Sequence, residues 1–318
     1  MNGVEMKPDV LVLAPPLPRQ MEQLDKAYTL HRYDLTDDKA GMVASVRDRC
    51  EAIVTIGHVD LDASLIAQLP KLKIVACSSA GFETIDVDAL NQRGIKLTNS
   101  SAALRDDVAD TALMLMLAAR RNLVNGDAYV RSGDWARKGN LPLTTRTAGK
   151  RSGIVGLGSI GTAIAARCAA LGMDIGYFSR TRKDTVNYRY FDDPVKLAEW
   201  ADVLIAVVPG GEGTRGLVSK DVIAALGPTG TFVNVSRGSV VDEPALIAAL
   251  QSGALGSAGL DVYMNEPNVD PAFATLKNAV LYPHHASGTV ETRDAMSQLV
   301  VDNLAAYFAG KPLLTPVN

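Results

Sequence analysis

The sequence predicts an α/β protein with two doubly wound domains, each built around a parallel β-sheet. Short apolar runs typical of strands alternate with helical runs along the chain, a pattern that indicates parallel sheets. A glycine-rich turn at 156–161 joins one of these strands directly to a helix. The chain has 318 residues and is 47% hydrophobic, which is enough for two cores of ordinary domain size.

The part of the chain before the glycine-rich turn contains several strand-like runs. Helical runs such as 40–49 and 64–69 lie between them, so we expect the strands to form one parallel sheet. Prolines in 14–18 end the first strand, because proline fixes the backbone and lacks an N–H group. The strands are predicted at 10–13, 30–33, 52–55, 72–76 and 95–98.

A long helix is predicted at 107–123 and is expected to lead from the first domain into the second. Its apolar residues recur at helical spacing, at Val108, Ala112, Leu115 and Ala119. The segment 134–143 that follows reads as loose and rich in turns.

A second series of strands follows, at 153–155, 174–178, 202–208, 231–235, 257–260 and 279–281. Six parallel strands match a complete Rossmann dinucleotide-binding domain. The last helix, 292–308, comes too late for this domain, and we expect it to cross back to the first one. We therefore predict a discontinuous flavodoxin-like substrate domain, residues 1–102 and 287–318, with a Rossmann cofactor domain, 103–286, inserted in it.

The glycine-rich turn has the G-x-G-x-x-G spacing of a dinucleotide-binding loop. Gly156 allows the tight turn, Gly158 lets the backbone approach a pyrophosphate, and Gly161 lets the next helix pack close to the sheet. The pyrophosphate would lie at the positive N-terminal end of that helix. The residues predicted to bind the cofactor here are Gly156, Leu157, Gly158, Ser159, Ile160 and Gly161.

The tip after the strand 174–178 carries no carboxylate. An acidic residue at this point would hold the ribose 2′-hydroxyl of NAD(H), but Ser179, Arg180 and Thr181 stand there instead. Arginine can pair with a 2′-phosphate, and the two hydroxyls can donate to it. We therefore predict NADPH/NADP+ as the cofactor. The alternative is that Arg180 and Arg182 lie in an ordinary solvated loop.

Three ionisable residues follow the last three predicted strands, namely Arg237, Glu266 and His284. Parallel strands bind ligands at their carboxyl ends, so we expect these side chains to meet. Reduction of a 2-keto acid by hydride transfer needs a cation for the carboxylate and carbonyl, an acid for the new alkoxide, and a carboxylate that favours the protonated acid. Each residue alone has an ordinary structural interpretation, but the set favours catalysis. His285 is the alternative acid, although adjacent residues of an extended segment point to opposite sides.

Composition and charge argue against several other classes of function. The net charge of -3 disfavours nucleic-acid binding. Cys50, Cys77 and Cys168 are scattered without metal-ligand spacing, so we expect buried thiols in a reducing compartment and no metal. No signal-peptide pattern occurs, and the longest apolar helical run, 113–119, is too short to cross a bilayer. We expect a soluble cytoplasmic protein.

Several motifs resemble those of the D-isomer-specific 2-hydroxyacid dehydrogenases, and the resemblance covers nearly the whole chain. They lie at 156–161, 233–238, 241–242, 245–246, 258–262, 266–267, 283–284 and Ser287. The resemblance implies Arg237 as substrate binder, Glu266 as partner carboxylate and His284 as proton donor. It favours His284 over its neighbour, since the family's histidine directly follows the proline. His285 and Ala286 stand where the family often has an aliphatic residue and a glycine.

The family also implies roles for less obvious residues. Binding of the substrate carboxylate is implied for three backbone N–H groups, those of Ser79, Ala80 and Gly81. Val235 and Asp261 would lie against the nicotinamide, and Thr214 would lie near the cofactor phosphates. The segment 82–83 has Phe-Glu where a Tyr-Asp pair is common, so the substrate end of this loop differs from the family pattern.

Within the family, the Ser-Arg-Thr tip and the segment 131–135 resemble the NADPH-preferring glyoxylate/hydroxypyruvate reductases and their hydroxyphenylpyruvate-reducing relatives. The resemblance implies a homodimer formed through the long helix and the segment before the glycine-rich turn. Trp135 either reaches a neighbouring subunit's pocket or packs as an ordinary loop aromatic.

We therefore predict an enzyme that reduces glyoxylate or hydroxypyruvate with NADPH to glycolate or D-glycerate, with His284 as proton donor. The D-stereochemistry follows from the resemblance alone, and no nucleic-acid or membrane partner is expected. Within enzymes, the alternatives are a bulkier 2-keto acid such as hydroxyphenylpyruvate, or oxidation as the working direction. The alternative from another class is a dinucleotide-sensing interaction protein similar to the family's corepressors.

Overall fold

The computed structural model describes residues 7–318, which form two compact units. The first unit combines the chain up to Leu104 with Ser287–Asn318, and the second unit is Arg105–Ala286. The domain boundaries predicted from the sequence lie after residue 102 and after residue 286. Residues 1–6, which the expected first domain includes, lie outside the described residues.

The sheet of the first unit consists of β1 (Asp9–Val12), β2 (Thr29–Arg32), β3 (Cys50–Thr55), β4 (Ile74–Cys77) and β5 (Lys96–Thr98). The five strands are parallel and lie in the order β2-β1-β3-β4-β5. This order is that of flavodoxin-like folds, so the predicted fold of this unit is confirmed. Val10 and Leu11 of β1 point to opposite faces and are both 0% exposed, so helices cover the sheet on both sides.

The described residues form α-helices with the following bounds: α1 (Pro18–Ala27), α2 (Lys39–Val46), α3 (Ala63–Gln68), α4 (Val87–Gln92), α5 (Ser101–Arg120), α6 (Leu123–Arg131), α7 (Asp134–Lys138), α8 (Ser159–Ala170), α9 (Pro194–Trp200), α10 (Lys220–Leu226), α11 (Glu243–Ser252) and α12 (Val290–Phe308). Val300 and Leu304 of α12 are buried against Val10 and Ala52 of the first sheet. The last helix therefore packs on the first unit, as the sequence predicts.

The segment after α5 is more helical than its sequence suggests. The predicted helix end at 123 is wrong, because Asn122 adopts a left-handed φ of 52° between α5 and α6. The segment 134–143 is predicted to consist of turns, but its first half forms α7. Asp134 accepts hydrogen bonds from Arg137 at 2.6 Å and from Lys138 at 2.9 Å. Ion pairs at this spacing stabilise a short helix, and the pattern of apolar residues does not indicate that helix.

The sheet of the second unit consists of β6 (Arg151–Val155), β7 (Asp174–Phe178), β8 (Arg189–Phe191), β9 (Val203–Ala206), β10 (Thr231–Asn234), β11 (Ser257–Leu260) and β12 (Ala279–Leu281). The strands are parallel and lie in the order β12-β11-β10-β9-β6-β7-β8. This is the Rossmann order 3-2-1-4-5-6 with one strand added beside the sixth.

The prediction of six strands in this unit is wrong, since the sheet has seven and the sequence analysis missed β8. β8 is a three-residue edge strand, and only Phe191 of it is buried. Phe191 packs against Trp200 of α9 with ring centroids 5.4 Å apart. So short a strand has no alternating pattern to recognise, and it forms because β7 offers a partner and Trp200 covers it.

Candidate active site

The catalytic candidates lie on three loops at one edge of the second sheet. β10, β11 and β12 are parallel neighbours, so the loops that follow them meet at their carboxyl ends. Arg237 follows β10, Glu266 follows β11 and His284 follows β12. The structure joins two of these side chains directly, because Nδ1 of His284 lies 2.5 Å from Oε2 of Glu266.

The surroundings of Glu266 hold its carboxylate ionised. Burial raises the pKa of this carboxyl, but hydrogen bonds from His284 and from the Tyr263 backbone N–H lower it, as does the charge of Arg237. The Tyr263 N–H donates to Oε1 at 2.8 Å. The pKa of Glu266 therefore lies below its ordinary value, and its carboxylate presents a negative charge to the ring of His284. The two side chains are only 28% and 30% exposed, so water screens the pair in part.

The backbone at His284 is held in a left-handed conformation, with φ of 49°. Such a conformation costs a non-glycine residue about 1–3 kcal/mol, so other contacts must maintain it. The His284 N–H donates to the carbonyl of Asp261 at 2.7 Å. The Asp261 carboxylate accepts from the N–H groups of His285 at 2.8 Å and Ala286 at 3.1 Å. Asp261 thus anchors the turn that presents the histidine.

Asp261 is buried, with 1% of its surface exposed. Burial raises the pKa of its carboxyl above the ordinary value, although the two backbone N–H groups act in the opposite direction. The family resemblance implies a position near the nicotinamide for Asp261, and its role in the turn was not predicted from the sequence. The ring of His285 lies edge-on to the ring of Tyr282, with the two ring centroids 5.9 Å apart.

A tyrosine that the sequence analysis did not single out connects the catalytic loops. Tyr263 follows β11 and is 6% exposed. Its hydroxyl lies 3.1 Å from the carbonyls of Leu260 and Tyr282, and the Tyr282 N–H donates to it at 3.1 Å. Burial raises the pKa of Tyr263 to about 12, so the phenol is neutral. Gly238 lets the Arg237 loop reach this residue, since a Cβ there would lie 2.0 Å from the Tyr263 carbonyl carbon.

The Arg237 loop is shaped by polar residues that sequence reasoning gave no role. Asn234 Oδ1 accepts from the backbone N–H of Ser236 at 3.0 Å and from its hydroxyl at 2.6 Å. Asn234 Nδ2 donates to the carbonyl of Arg237 at 3.0 Å. The guanidinium of Arg237 donates through Nη1 to the Ser236 carbonyl at 2.7 Å. Sequence reasoning could have identified Asn234, because it is a polar residue at the buried end of a strand.

The glycine-rich turn has the shape of a phosphate-binding loop. Gly156 has a φ of 102°, and a Cβ there would lie 2.7 Å from Val208. A Cβ at Gly161 would lie 2.0 Å from the Gly156 carbonyl oxygen. A Cβ at Gly158, by contrast, would meet no atom within 4 Å. Protein packing therefore explains the glycines at 156 and 161, while the open space at Gly158 is where a pyrophosphate fits.

The N-terminus of α8 is open in the same place. No side chain caps it, whereas α9, α10 and α11 of the same unit each have a side-chain cap. Within residues 7–318, the N–H groups of Ser159, Ile160 and Gly161 have no hydrogen-bond acceptor. Unpaired N–H groups at a helix start suit an anion, so these residues fit the pyrophosphate of a dinucleotide. Leu157 is buried beneath the turn and supports it.

The tip after β7 presents Arg180 to solvent. Its guanidinium makes no hydrogen bond or ion pair with the residues that the structure describes, and Thr181 is exposed beside it. The hydroxyl of Ser179 donates within the tip, to the Thr181 carbonyl at 2.6 Å. Arg182 lies 4.0 Å from Asp184, and both side chains are largely exposed. Arg180 is therefore available to pair with a phosphate here.

Two further cofactor candidates have contacts of their own. Val235 is buried at the end of β10, and its N–H donates to the Ala206 carbonyl at 3.3 Å. The Thr214 hydroxyl donates to the Pro209 carbonyl at 2.7 Å and therefore stabilises the loop after β9. Both residues lie beyond the carboxyl ends of the strands, the edge where Rossmann sheets bind ligands.

In the first unit, the loop 79–81 follows β4 at the carboxyl end of the first sheet. The Ser79 hydroxyl accepts from the Gly57 N–H at 2.7 Å and donates to the Gly81 carbonyl at 2.8 Å. The Ala80 carbonyl accepts from Asn99 Nδ2 at 3.0 Å. Among the described residues, no acceptor pairs with the N–H groups of Ala80 and Gly81. Two such neighbouring groups suit a carboxylate.

The segment between α5 and the glycine-rich turn exposes large apolar side chains. They are Leu123, Val124, Val130, Trp135, Leu141 and Leu143. Trp135 is 58% exposed, and its indole N–H donates to Asn140 at 3.2 Å. The ring is therefore not packed within the second unit.

The described residues contain no group of three or more His, Cys, Asp or Glu side chains that could hold a metal ion. Likewise, no helix within 7–318 is long and apolar enough to cross a membrane. Cys50, Cys77 and Cys168 are free and buried, as predicted. Burial raises the pKa of the Cys50 and Cys168 thiols to about 11.

Comparison with known proteins agrees with this geometry. Residues 113–286 match the family model for the NAD binding domain of D-isomer specific 2-hydroxyacid dehydrogenases. A hydroxyphenylpyruvate reductase of Plectranthus scutellarioides is 44% identical over 308 residues, which cover 97% of this chain and 98% of the relative. The glyoxylate/hydroxypyruvate reductase A of Arabidopsis thaliana is 45% identical over 308 residues, with the same coverage of both chains.

A solved structure is also similar over almost the whole chain. It is the NADPH-dependent glyoxylate/hydroxypyruvate reductase of Sinorhizobium meliloti, in complex with NADP and malonate. The two chains are 41% identical with a TM-score of 0.88, and the match covers 98% of this chain and 97% of the other. Both domains, and not the cofactor domain alone, are therefore shared with that structure.

Proposed function

The chain belongs to the D-isomer specific 2-hydroxyacid dehydrogenase family and is an oxidoreductase, and from this premise we propose that it reduces glyoxylate and hydroxypyruvate with NADPH, giving glycolate and D-glycerate. The observation that carries the proposal is the 2.5 Å pair of His284 and Glu266 at the sheet edge that also holds Arg237. These are the acid, the charge partner and the cation that reduction of a 2-keto acid requires.

The residues of this site divide the work of reduction among them. When bound, the nicotinamide supplies the hydride for the carbonyl carbon. Glu266 holds His284 by Nδ1, so Nε2 is the ring nitrogen that passes a proton to the new alkoxide. The guanidinium of Arg237 binds the substrate and stabilises the negative charge that develops on the carbonyl oxygen.

The cofactor site is assigned to the second unit. The pyrophosphate is held by the turn 156–161 and the start of α8, where the N–H groups and the space at Gly158 fit it. Arg180 pairs with the 2′-phosphate, and the exposed Thr181 assists it. Ser179, Thr214, Val235 and Asp261 complete the predicted cofactor set.

The first unit is assigned as the substrate domain. Its loop 79–81 offers the N–H groups of Ala80 and Gly81, which suit the substrate carboxylate. Ser79 holds this loop in shape through its two hydroxyl hydrogen bonds.

We further propose a cytoplasmic homodimer. Several large apolar side chains of the segment between α5 and the glycine-rich turn are exposed, as is typical of a surface that a second copy covers. Free buried thiols fit a reducing compartment.

A second candidate substrate is hydroxyphenylpyruvate, because a 44% identical relative is named a hydroxyphenylpyruvate reductase. The substrate test follows NADPH oxidation with glyoxylate, hydroxypyruvate, pyruvate and hydroxyphenylpyruvate, with NADH in parallel. We expect the highest kcat/KM for the two small acids with NADPH. Turnover of hydroxyphenylpyruvate alone would favour the second candidate, and binding of NADPH without turnover of any acid would favour a sensor.

A further inference from the structure

Two tyrosine hydroxyls hold the two ends of the tip that follows β7. The hydroxyl of Tyr177, within β7, accepts from the Lys183 N–H at 2.8 Å and lies 3.4 Å from the Lys183 carbonyl. The hydroxyl of Tyr190, within β8, donates to the Ser179 carbonyl at 3.3 Å. The two rings pack together with centroids 5.4 Å apart. The segment 179–183 is thus fastened at its first and last residues to one aromatic pair beneath it.

We propose that Tyr177 and Tyr190 are positioning residues for cofactor choice, which act by holding the segment 179–183 in the shape that receives a 2′-phosphate. The proposal rests on the proposed use of NADPH. The segment has no regular secondary structure, and the side chains of Arg180, Thr181 and Lys183 are exposed. Among the described residues, its backbone is held by the two tyrosine hydroxyls and by one bond of its own, from the Ser179 hydroxyl to the Thr181 carbonyl, so its geometry depends on these contacts.

The same tip is also next to a hydrogen bond from the glycine-rich turn. The Gly156 N–H donates to the carbonyl of Phe178 at 2.9 Å, immediately before the tip begins. Within the tip, the Ser179 hydroxyl donates to the Thr181 carbonyl at 2.6 Å. The backbone on both sides of Arg180 is therefore held by hydrogen bonds at Phe178, Ser179, Thr181 and Lys183, and the tyrosines supply two of them.

Replacement by phenylalanine isolates the hydroxyl. Tyr177 is 1% exposed, and its ring contributes to packing that phenylalanine would keep. Only the bonds to the tip are lost. Tyr188 offers a matched control three residues before Phe191, since its hydroxyl has no hydrogen bond with any described residue.

The experiment measures dissociation constants of NADPH and NADH by titration for the wild type and for Tyr177→Phe, Tyr190→Phe and Tyr188→Phe. Loss of one neutral hydrogen bond at a binding loop weakens affinity by about three- to tenfold. We expect this loss for NADPH in Tyr177→Phe and in Tyr190→Phe, with NADH changed by less than about twofold. Tyr188→Phe should bind both cofactors like the wild type.

Equal weakening of NADPH and NADH would overturn the proposal, because the tyrosines would then support the domain and not the choice of cofactor. Unchanged affinities would overturn it as well, while a preserved wild-type preference for NADPH would leave the proposed function standing. A wild type without that preference would overturn both, and the wild-type titration alone reveals this case. If Tyr177→Phe does not fold, as judged by thermal unfolding, Tyr190→Phe at the sheet edge decides the question.

Discussion

Replacement of Glu266 by glutamine should lower kcat for reduction. Glutamine keeps the shape of the side chain and an oxygen that accepts from the Tyr263 N–H, but it removes the negative charge 2.5 Å from His284 Nδ1. The carboxylate orients the ring of His284, and a neutral amide holds that ring less firmly. Reduction needs the ring in place to pass a proton to the alkoxide, and therefore kcat should fall.

The size of the loss follows from the contact. A hydrogen bond to a charged group contributes about 1.5–3 kcal/mol, and about 1.4 kcal/mol is a tenfold change in rate. The side chains are 28% and 30% exposed, so water reduces the effect and the lower half of this range applies. We therefore expect kcat to fall by about ten- to fortyfold.

The assay is kcat at saturating NADPH and glyoxylate. The control is Glu243→Gln, in which an amide oxygen can still accept from the Met264 N–H, now bound by Glu243 Oε2 at 2.9 Å. This control changes the same chemical group on a neighbouring element without touching His284, and its kcat should stay near that of the wild type. A wild-type kcat in Glu266→Gln would refute the role given to the carboxylate.

Three further predictions test the site. His284→Ala should lower kcat by about 10²–10⁴-fold while NADPH still binds; near-normal turnover would contradict its role as acid. Arg180→Ala should weaken NADPH by about tenfold or more without weakening NADH, while Arg182→Ala should have a smaller effect; an unchanged preference would mean that the 2′-phosphate is bound elsewhere. Gly158→Ala should keep the wild-type melting temperature, because its Cβ meets no atom within 4 Å, yet weaken NADPH. Gly161→Ala should lower the melting temperature, because its Cβ would lie 2.0 Å from a backbone carbonyl, and the reverse order of these two effects would refute the assigned pyrophosphate position.

The sequence by itself determined the architecture and the identity of the site's ionisable residues. Local patterns carry this information, since alternating strands and helices imply parallel sheets, and parallel sheets collect their ligand-binding residues at the carboxyl ends. Arg237, Glu266 and His284 could be proposed together because each follows a recognisable apolar strand. The glycine spacing at 156–161 marked the dinucleotide loop in the same way.

Only the tertiary structure decided which groups touch. β8 has too few residues to show an alternating pattern. It forms because it pairs with β7 and packs against Trp200. The roles of Asp261 and Tyr263 depend on bonds to a segment about twenty residues further along the chain, and such partners are chosen by packing. Likewise, the sequence alone does not distinguish Gly158 from Gly161. In the folded structure a Cβ at Gly158 would meet open space, whereas a Cβ at Gly161 would lie 2.0 Å from a backbone carbonyl oxygen. Hydrogen bonds and contacts between distant segments have no local signature, and this is why the sequence named the candidate catalytic residues but not those that hold them.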